Sequence, residues 1–454
     1  MSKNIKLKKG FNINLAGKAE KIVADYSAET FAVKPTDFLG FIKPKVLVEV
    51  GDKVKAGTPL YYDKSAEAVK FASPVSGEVI AVNRGAKRRL LEIVVKSDGA
   101  LDSVELSKKT ISEIASASAE DLKTQICESG AWGNIVQRPY GTVANPSDSP
   151  KSIFISGFDS NPLAADYGVI LKGKEEAFKA GIEVLKKLTA GKVHLSTKFG
   201  NEVVSAFANL EGVEQSQFDG PHPSGNVGVQ IHHLDPINKG DLVWTIDPVA
   251  VAQIGNVFIK GQYDASRVIA VAGSELNEAK YYNTFTGANV KELTNGNLKS
   301  DNVRIVSGSV LSGEKVEKDG FVGFYDNNFS IIPEGDDLIF FGSFKPDASR
   351  LSFQKAFGLL SFLNGSKKEY VLNSNINGEK RAFVQSGVME KVLPMDIYPI
   401  YLLKAILTED YDSMEALGIY EVVEEDFALC EFVDVSKNDV QKIIRQGLDL
   451  MQNS

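Results

Sequence analysis

The chain has 454 residues, 43% hydrophobic and 24% charged, with a formal net charge of -8. Such a composition buries several cores and excludes a disordered chain. No run approaches the roughly 18 uninterrupted apolar residues of a membrane helix. The most apolar segments, Val243–Lys260 and Ile397–Leu407, are interrupted by Asp247, Pro248, Gly255, Pro399 and Lys404. The basic start, Met1 to Lys6, has no apolar stretch behind it and predicts no secretory signal. Two distant cysteines, Cys127 and Cys430, exclude a disulfide framework, a four-cysteine cluster and a cysteine-only zinc site. They read as buried reduced thiols of a cytosolic protein. Charge is uneven: residues 1–96 carry +8 and the rest -16, with ten acids and no Lys or Arg between Lys404 and Lys437. The basic residues are scattered among strand-like segments, apart from Arg84–Arg89, which argues against nucleic acid and leaves a solvated surface with a positive end, or an acidic partner or lipid headgroups facing that end.

Residues 44–98 read as an all-β module. Val46–Val50 runs into Gly51-Asp52-Lys53-Val54, and Ser73-Pro74-Val75-Ser76-Gly77-Glu78-Val79 follows, with glycines at 51, 57, 77 and 85 punctuating β-branched runs. The pattern resembles the biotinyl/lipoyl-carrier sandwich. Carriers modify one lysine at a hairpin tip, and Lys64 sits in that region. Ten positions separate it from Pro74, longer than the carrier spacing, and no Met-Lys signature is present. An unmodified turn lysine is therefore expected.

From about residue 150 the pattern becomes α/β. Ser152–Gly157 predicts a strand, and Lys174–Leu188 a helix whose Phe178, Gly181, Ile182, Leu185 and Leu188 share one face. Val193–Ser196 predicts a strand, Asn201–Leu210 a helix and Val227–Ile231 an alternating strand. This order implies a Rossmann-like parallel sheet with any ligand site at its carboxyl edge. The first strand runs into Gly157-Phe158-Asp159-Ser160-Asn161-Pro162, which lacks the glycine spacing of a dinucleotide loop and adds a carboxylate where phosphate would sit. A scaffold without a standard nucleotide site is expected. Ser266–Gly273, Asn302–Ser307, Phe321–Tyr325 and Phe329–Ile332 predict the short strands of a β-grasp-like module. At the end, Ser436 to Asp439 reads as a variant capping box opening a helix over Val440–Met451. His222, His232 and His233 fall within twelve residues. Neighbours on a strand point to opposite faces, so a structural role is expected rather than a metal site.

These modules in this order, with Asp159-Ser160-Asn161-Pro162-Leu163-Ala164-Ala165-Asp166, Gly220-Pro221-His222-Pro223-Ser224-Gly225, Ile231 to Pro236, Arg381 to Val384 and Val392 to Ile397, resemble the A subunits of sodium-translocating NADH:quinone reductases. The resemblance runs essentially end to end. It implies four modules: an N-terminal barrel-sandwich at 1–100, a Rossmann-like domain at 101–258, a β-grasp module of the SLBB type at 259–345 and a C-terminal helical domain at 346–454. It further implies kinship of fold with the flavin-binding polypeptide of respiratory complex I and with the C polypeptide of the Rnf complex, whose cluster cysteines and glycine-rich flavin loop are missing here. A peripheral subunit on the cytoplasmic face of the inner membrane follows, without a redox cofactor of its own. FAD, FMN, riboflavin and an iron–sulfur centre are expected on partner subunits. The partners expected are the membrane-embedded subunits, and the substrate is ubiquinone or menaquinone. The isolated chain should not turn over, since no residue reads as a general acid, nucleophile or metal ligand.

A quinone needs an apolar slot and one or two donors. Two loop-like segments offer both. In Thr30–Lys45, Phe38, Leu39 and Phe41 would line the ring and Lys45 would donate. In Gly130–Gly141, Trp132 would stack and Arg138 would donate, with Tyr140 as a further quinone-binding candidate. The alternatives are that the aromatics cover a domain junction, that Arg138 pairs with a carboxylate, and that the chain is a purely structural scaffold with a disused nucleotide-binding fold.

Overall fold

A computed structural model describes residues 3–41, 43–336, 350–354, 364, 368–383 and 387–454. Ile42 of the first candidate segment, Val384 and the stretches 337–349, 355–363 and 365–367 of the last two modules lie outside the described residues.

Between residues 30 and 97, β-branched runs and tight turns build two small sheets. One joins Thr30–Val33, Leu90–Ser97, Gly77–Arg84 and Lys53–Val54; the other joins Pro44–Val46, Pro59–Asp63 and Ala66–Ala72. Tyr61, Phe71, Val79, Ile93 and Val95 are sealed inside. Gly77 has φ 155, and a Cβ there would lie 1.9 Å from the Lys96 carbonyl oxygen, so only glycine lets the two long strands approach.

A seven-stranded mixed sheet forms the middle of the molecule, in the order Lys3–Lys6, Val213–Asp219, Lys192–Lys198, Ser152–Ser156, Val243–Thr245, Val136–Arg138, Thr142–Val143. The first five are mutually parallel; the last two turn back as an antiparallel edge. The helices Glu175–Leu188 and Pro248–Ile259 pack together and bury nearly every apolar residue they carry. Phe154, between Ile153 and Ile155 on the strand, turns to the other side and meets Ile231 and Val243.

A six-stranded sheet follows: Glu314–Lys315, Val303–Ser307, Asn328–Pro333, Ser266–Ala272, Lys280–Phe285 and Glu20–Asp25. Two strands of the N-terminal hundred residues thus belong to other sheets, Lys3–Lys6 beside Ser216–Asp219 and Glu20–Asp25 beside Lys280–Asn283. The chain closes with the helices Pro399–Leu407, Tyr411–Ala416, Glu424–Val433 and Val440–Asn453.

Four local expectations are corrected. Val227–Leu234 is a helix, not a strand: a five-residue apolar alternation also satisfies i, i+4 spacing, and Val227 and Ile231 both join the cluster around Phe154. Asn201–Leu210 holds only the short 3-10 turn Ser205–Phe207, ended by Ala208 in an extended conformation and followed by Asn209 at φ 54. Phe321–Tyr325 is a loop pinned from outside, its Phe324 N–H donating to the Asp37 carboxylate at 2.8 Å. The Ser436 hydroxyl donates to the Ala382 carbonyl instead of capping a helix; the first turn of Val440–Asn453 is satisfied by Glu431, which accepts the Gln441 N–H at 2.8 Å.

Candidate functional site

The two aromatic and cationic segments meet in space. The 3-10 turn Pro35–Asp37 opens on a proline and hands the chain to Phe38. Asp37 anchors that turn: its carboxylate pairs with Lys34 at 3.1 Å and accepts the Phe324 N–H. Burial pushes the Asp37 carboxyl up to about 6 against the pull of Lys34. The Phe38 ring then lies 4.3 Å from Phe71 and 4.7 Å from Phe324. Gly133 of the second segment passes beside them, where a Cβ would come within 2.9 Å of Phe71 and 3.2 Å of Phe38. The Tyr325 hydroxyl donates to the Gly133 carbonyl at 2.6 Å. A Cβ on Gly40 would strike Thr142 at 2.7 Å, and Leu39 flanks Gly141.

Within this pair of loops the candidate residues divide. Phe38 is buried in the junction, and Phe41 is half-buried against Tyr61 and Phe71 at 5.5 and 5.0 Å. Leu39 and Lys45 are exposed. Trp132 has no exposed surface; its indole N–H donates to the Ala144 carbonyl at 2.7 Å and its ring meets Trp244 edge-on at 5.6 Å. The Arg138 guanidinium is buried 3.2 Å from Asp426 and 3.8 Å from Glu425. Tyr140 is half-buried, with its carbonyl accepting from Arg445 at 2.9 Å. The stacking read for Trp132 and the donation read for Arg138 are thus already taken up by protein partners. Leu39, Phe41, Lys45 and Tyr140 keep surface that a ligand would reach.

A separate cleft of about 1120 Å³ opens at the carboxyl ends of Ser152–Ser156, Lys192–Lys198 and Val213–Asp219. This is the edge where parallel sheets hold ligands. Its wall is the loop Gly157–Gly168, opposite Thr197–Ser205 and Asn12–Leu15. Lys18, Lys172 and Lys198 line it together with Asp159 and Glu202, and Lys21 pairs with Asp166 at 2.6 Å. Asp159 accepts the backbone and side-chain N–H groups of Asn161 at 2.7 and 2.8 Å, and Asn161 in turn accepts from Ser309 at 2.9 Å. Burial, with Asp247 nearby, pushes the Asp159 carboxyl up. The turn where a nucleotide phosphate would sit is filled by this carboxylate. Position directly after the strand Ser152–Ser156 was the signal that these residues face a ligand edge; the run Asp159 to Asp166 marked the family resemblance and no chemistry.

The histidines serve as anchors. His232 Nδ1 donates to Glu421 at 2.6 Å while its Nε2 accepts the Asp396 N–H at 3.1 Å. His233 Nε2 donates to the Pro394 carbonyl at 2.9 Å. Both sit at the end of a helix, so the strand argument for their divergence does not apply, yet each is committed to a different partner. Among the described residues no three His, Cys, Asp or Glu side chains gather as a metal set. Cys127 and Cys430 are buried, and burial pushes the Cys127 thiol up to about 12. Lys64 stands exposed in the turn between Pro59–Asp63 and Ala66–Ala72.

The NqrA N-terminal barrel-sandwich hybrid domain matches residues 5–98, the NqrA second alpha/beta domain matches 117–263, and the NQRA C-terminal domain matches 268–318. The A subunit of the Na(+)-translocating NADH-quinone reductase of Neisseria meningitidis serogroup B is 36% identical over 450 residues, 99% of either chain. Its namesake in Saccharophagus degradans is 39% identical over 449 residues, 98% of either chain. Among solved structures, an NAD+-reducing [NiFe]-hydrogenase in the H2-reduced state aligns with 50% of this chain and 49% of its own, at 10% identity and a TM-score of 0.34, too slight a likeness to argue from. Full-length identity at this level places the chain in the family of A subunits of Na(+)-translocating NADH-quinone reductases.

Proposed function

We propose that the chain works as the A subunit of a sodium-pumping NADH:quinone oxidoreductase. It would sit peripherally on the cytoplasmic face of the inner membrane, against membrane-embedded partner subunits, with no redox cofactor of its own. FAD, FMN, riboflavin and an iron–sulfur centre would belong to those partners. The observation that carries this reading is the identity with relatives of that name along 98–99% of the chain. Two features support it. No helix among the described residues is long and apolar enough to cross a membrane. The two cysteines are buried and far apart in sequence, which suits neither a cluster nor a reactive thiol. The second and third modules are read as Rossmann-like and β-grasp-like, and the last as helical, with the boundaries drawn above.

The chain would contribute to quinone contact at the joined loops. Leu39, Phe41 and Tyr140 would supply the apolar face and Lys45 the donor to a carbonyl of ubiquinone or menaquinone. Phe38, Trp132 and Arg138 would hold the loops in place behind them. The purified chain should show no stoichiometric flavin or iron–sulfur band in its visible spectrum; such a band would sink the cofactor-free reading. Calorimetric titration with a short-chain quinone, in the whole complex, should saturate and should weaken about tenfold in Phe41→Ala. Calorimetry is preferable to tryptophan fluorescence because Trp132 and Trp244 are both buried.

The burial of Phe38, Trp132 and Arg138 also favours a second reading, a scaffold with no quinone contact. That reading expects Phe41→Ala to alter assembly while leaving quinone affinity of the assembled complex unchanged.

A further inference from the structure

The helix Pro399–Leu407 buries Ile400, Leu402, Leu403, Ala405 and Ile406 but leaves its other side bare. Tyr398 is 60% exposed, Tyr401 59% and Leu407 50%, and Tyr411 continues the row. The rings of Tyr398 and Tyr401 lie edge to face, 6.2 Å apart, so they form one apolar platform. Flanking it in the chain are the exposed acids Asp396, Glu409, Asp410 and Asp412, against the single cation Lys404 between them. Exposed aromatic rings rimmed by charge mark an interaction surface.

The rim decides the occupant. An anionic lipid leaflet would be repelled by it. A second copy docking isologously would set the same acids against themselves. Cytoplasmic loops of membrane-embedded polypeptides are rich in Lys and Arg. We infer that the Tyr398–Tyr401–Leu407 platform is the docking surface for a Lys/Arg-rich cytoplasmic segment of a membrane-embedded partner, whose apolar residues cover the tyrosine rings while its cations meet Glu409 and Asp412. The inference rests on the proposed place of this chain in a membrane complex.

The test replaces Tyr401 in the full-length chain with a photo-crosslinking benzoylphenylalanine, assembles the complex in native membranes and sequences the linked peptide. A Lys/Arg-rich peptide of a membrane-spanning subunit is expected. A peptide without that basic character, lipid or another copy of this chain overturns the inference. In parallel, Tyr401→Ser with Leu407→Ser, and separately Glu409→Lys with Asp412→Lys, should each lower recovery of the chain with a tagged membrane subunit by about tenfold. Unchanged thermal unfolding of the isolated variants shows that folding is intact. Wild-type recovery in both variants overturns the surface but leaves the proposed function standing. If the wild-type chain itself fails to co-purify with any membrane subunit, the proposed function fails and the docking surface with it.

Discussion

At position 222 a histidine is held at 1% exposure, with Nδ1 3.0 Å from the Ser160 hydroxyl and Nε2 without a hydrogen-bond partner among the described residues. Its backbone is tied on both sides, donating to Asn12 at 2.8 Å and accepting from the Phe11 N–H at 2.8 Å. Burial lowers its pKa from 6.5 to about 4. The folded state therefore resists a proton that the unfolded chain accepts. Stability from this site is complete above pH 6.5 and is lost as pH falls from 6.5 towards 4. The full loss is about 3 kcal/mol. Wild type and His222→Gln should both weaken in acid, but denaturant unfolding should show wild type losing about 2 kcal/mol more between pH 6.5 and 4.5. Parallel curves would remove His222 as the cause. Arg138 works in the opposite sense, as a permanent charge. Its partner Asp426 has no exposed side-chain surface, and removing the guanidinium by Arg138→Met leaves that carboxylate buried beside Glu425. The cost should be about 3–5 kcal/mol in chemical denaturation, and Asp426→Asn in the same chain should recover much of it. That Arg138 would pair with a carboxylate was legible as an alternative in the sequence. Which carboxylate was not, because the partner lies 288 positions away and only the fold joins them.

The helices Glu175–Leu188 and Pro248–Ile259 show how an element is read and where reading stops. The first was legible because its apolar residues keep helical spacing over fourteen residues. The glycine in that apolar face, Gly181, carries more than periodicity conveys. A Cβ there would stand 2.0 Å from the Val251 carbonyl oxygen, and one on Gly255 would stand 1.8 Å from that of Ala177. The two backbones touch through paired glycines. Gly181→Ala or Gly255→Ala must push the helices apart, at about 3 kcal/mol, although alanine is the better helix former. Thermal unfolding should therefore show a lower midpoint for both variants; a gain would mean that the helices separate without strain. Val227–Leu234 was misread because its short apolar alternation fits a strand as well as a helix. Its glycine, Gly228, fits beneath the Asp426 carboxylate, where a Cβ would lie 2.3 Å from the oxygens. That contact, like the one at Gly181, leaves no periodic trace in the sequence.

The arrangement of the whole molecule was the least legible level, and the reason is visible in the sheets. Strand identity depends on a few residues, but strand partners depend on the chain returning from far away. Ser152–Ser156 and Lys192–Lys198 were legible as adjacent strands because they follow one another in sequence, whereas Val213–Asp219 and Val243–Thr245 were not, and the latter returns to pair with Ser152–Ser156. Lys3–Lys6 and Glu20–Asp25 were not legible either, since each closes the edge of a sheet whose other strands come far later in the chain. Both are short, and Glu20–Asp25 reads EKIVAD with most of its side chains exposed, so burial gives no pattern to find. The same placement makes the N-terminal segment a strap across the molecule, with Leu7, Ile13, Leu15 and Ala19 buried between its two strands. A chain beginning at residue 27 keeps every residue of the two small sheets, yet it exposes the edges Val213–Asp219 and Lys280–Phe285 and strips four apolar residues from the core. Open edges invite pairing with other chains. Such a chain should unfold at a lower temperature than the full one, and light scattering should show it associating in a concentration-dependent manner. A monomeric shortened chain with an unchanged unfolding midpoint would mean that the strap decorates the sheets rather than closing them.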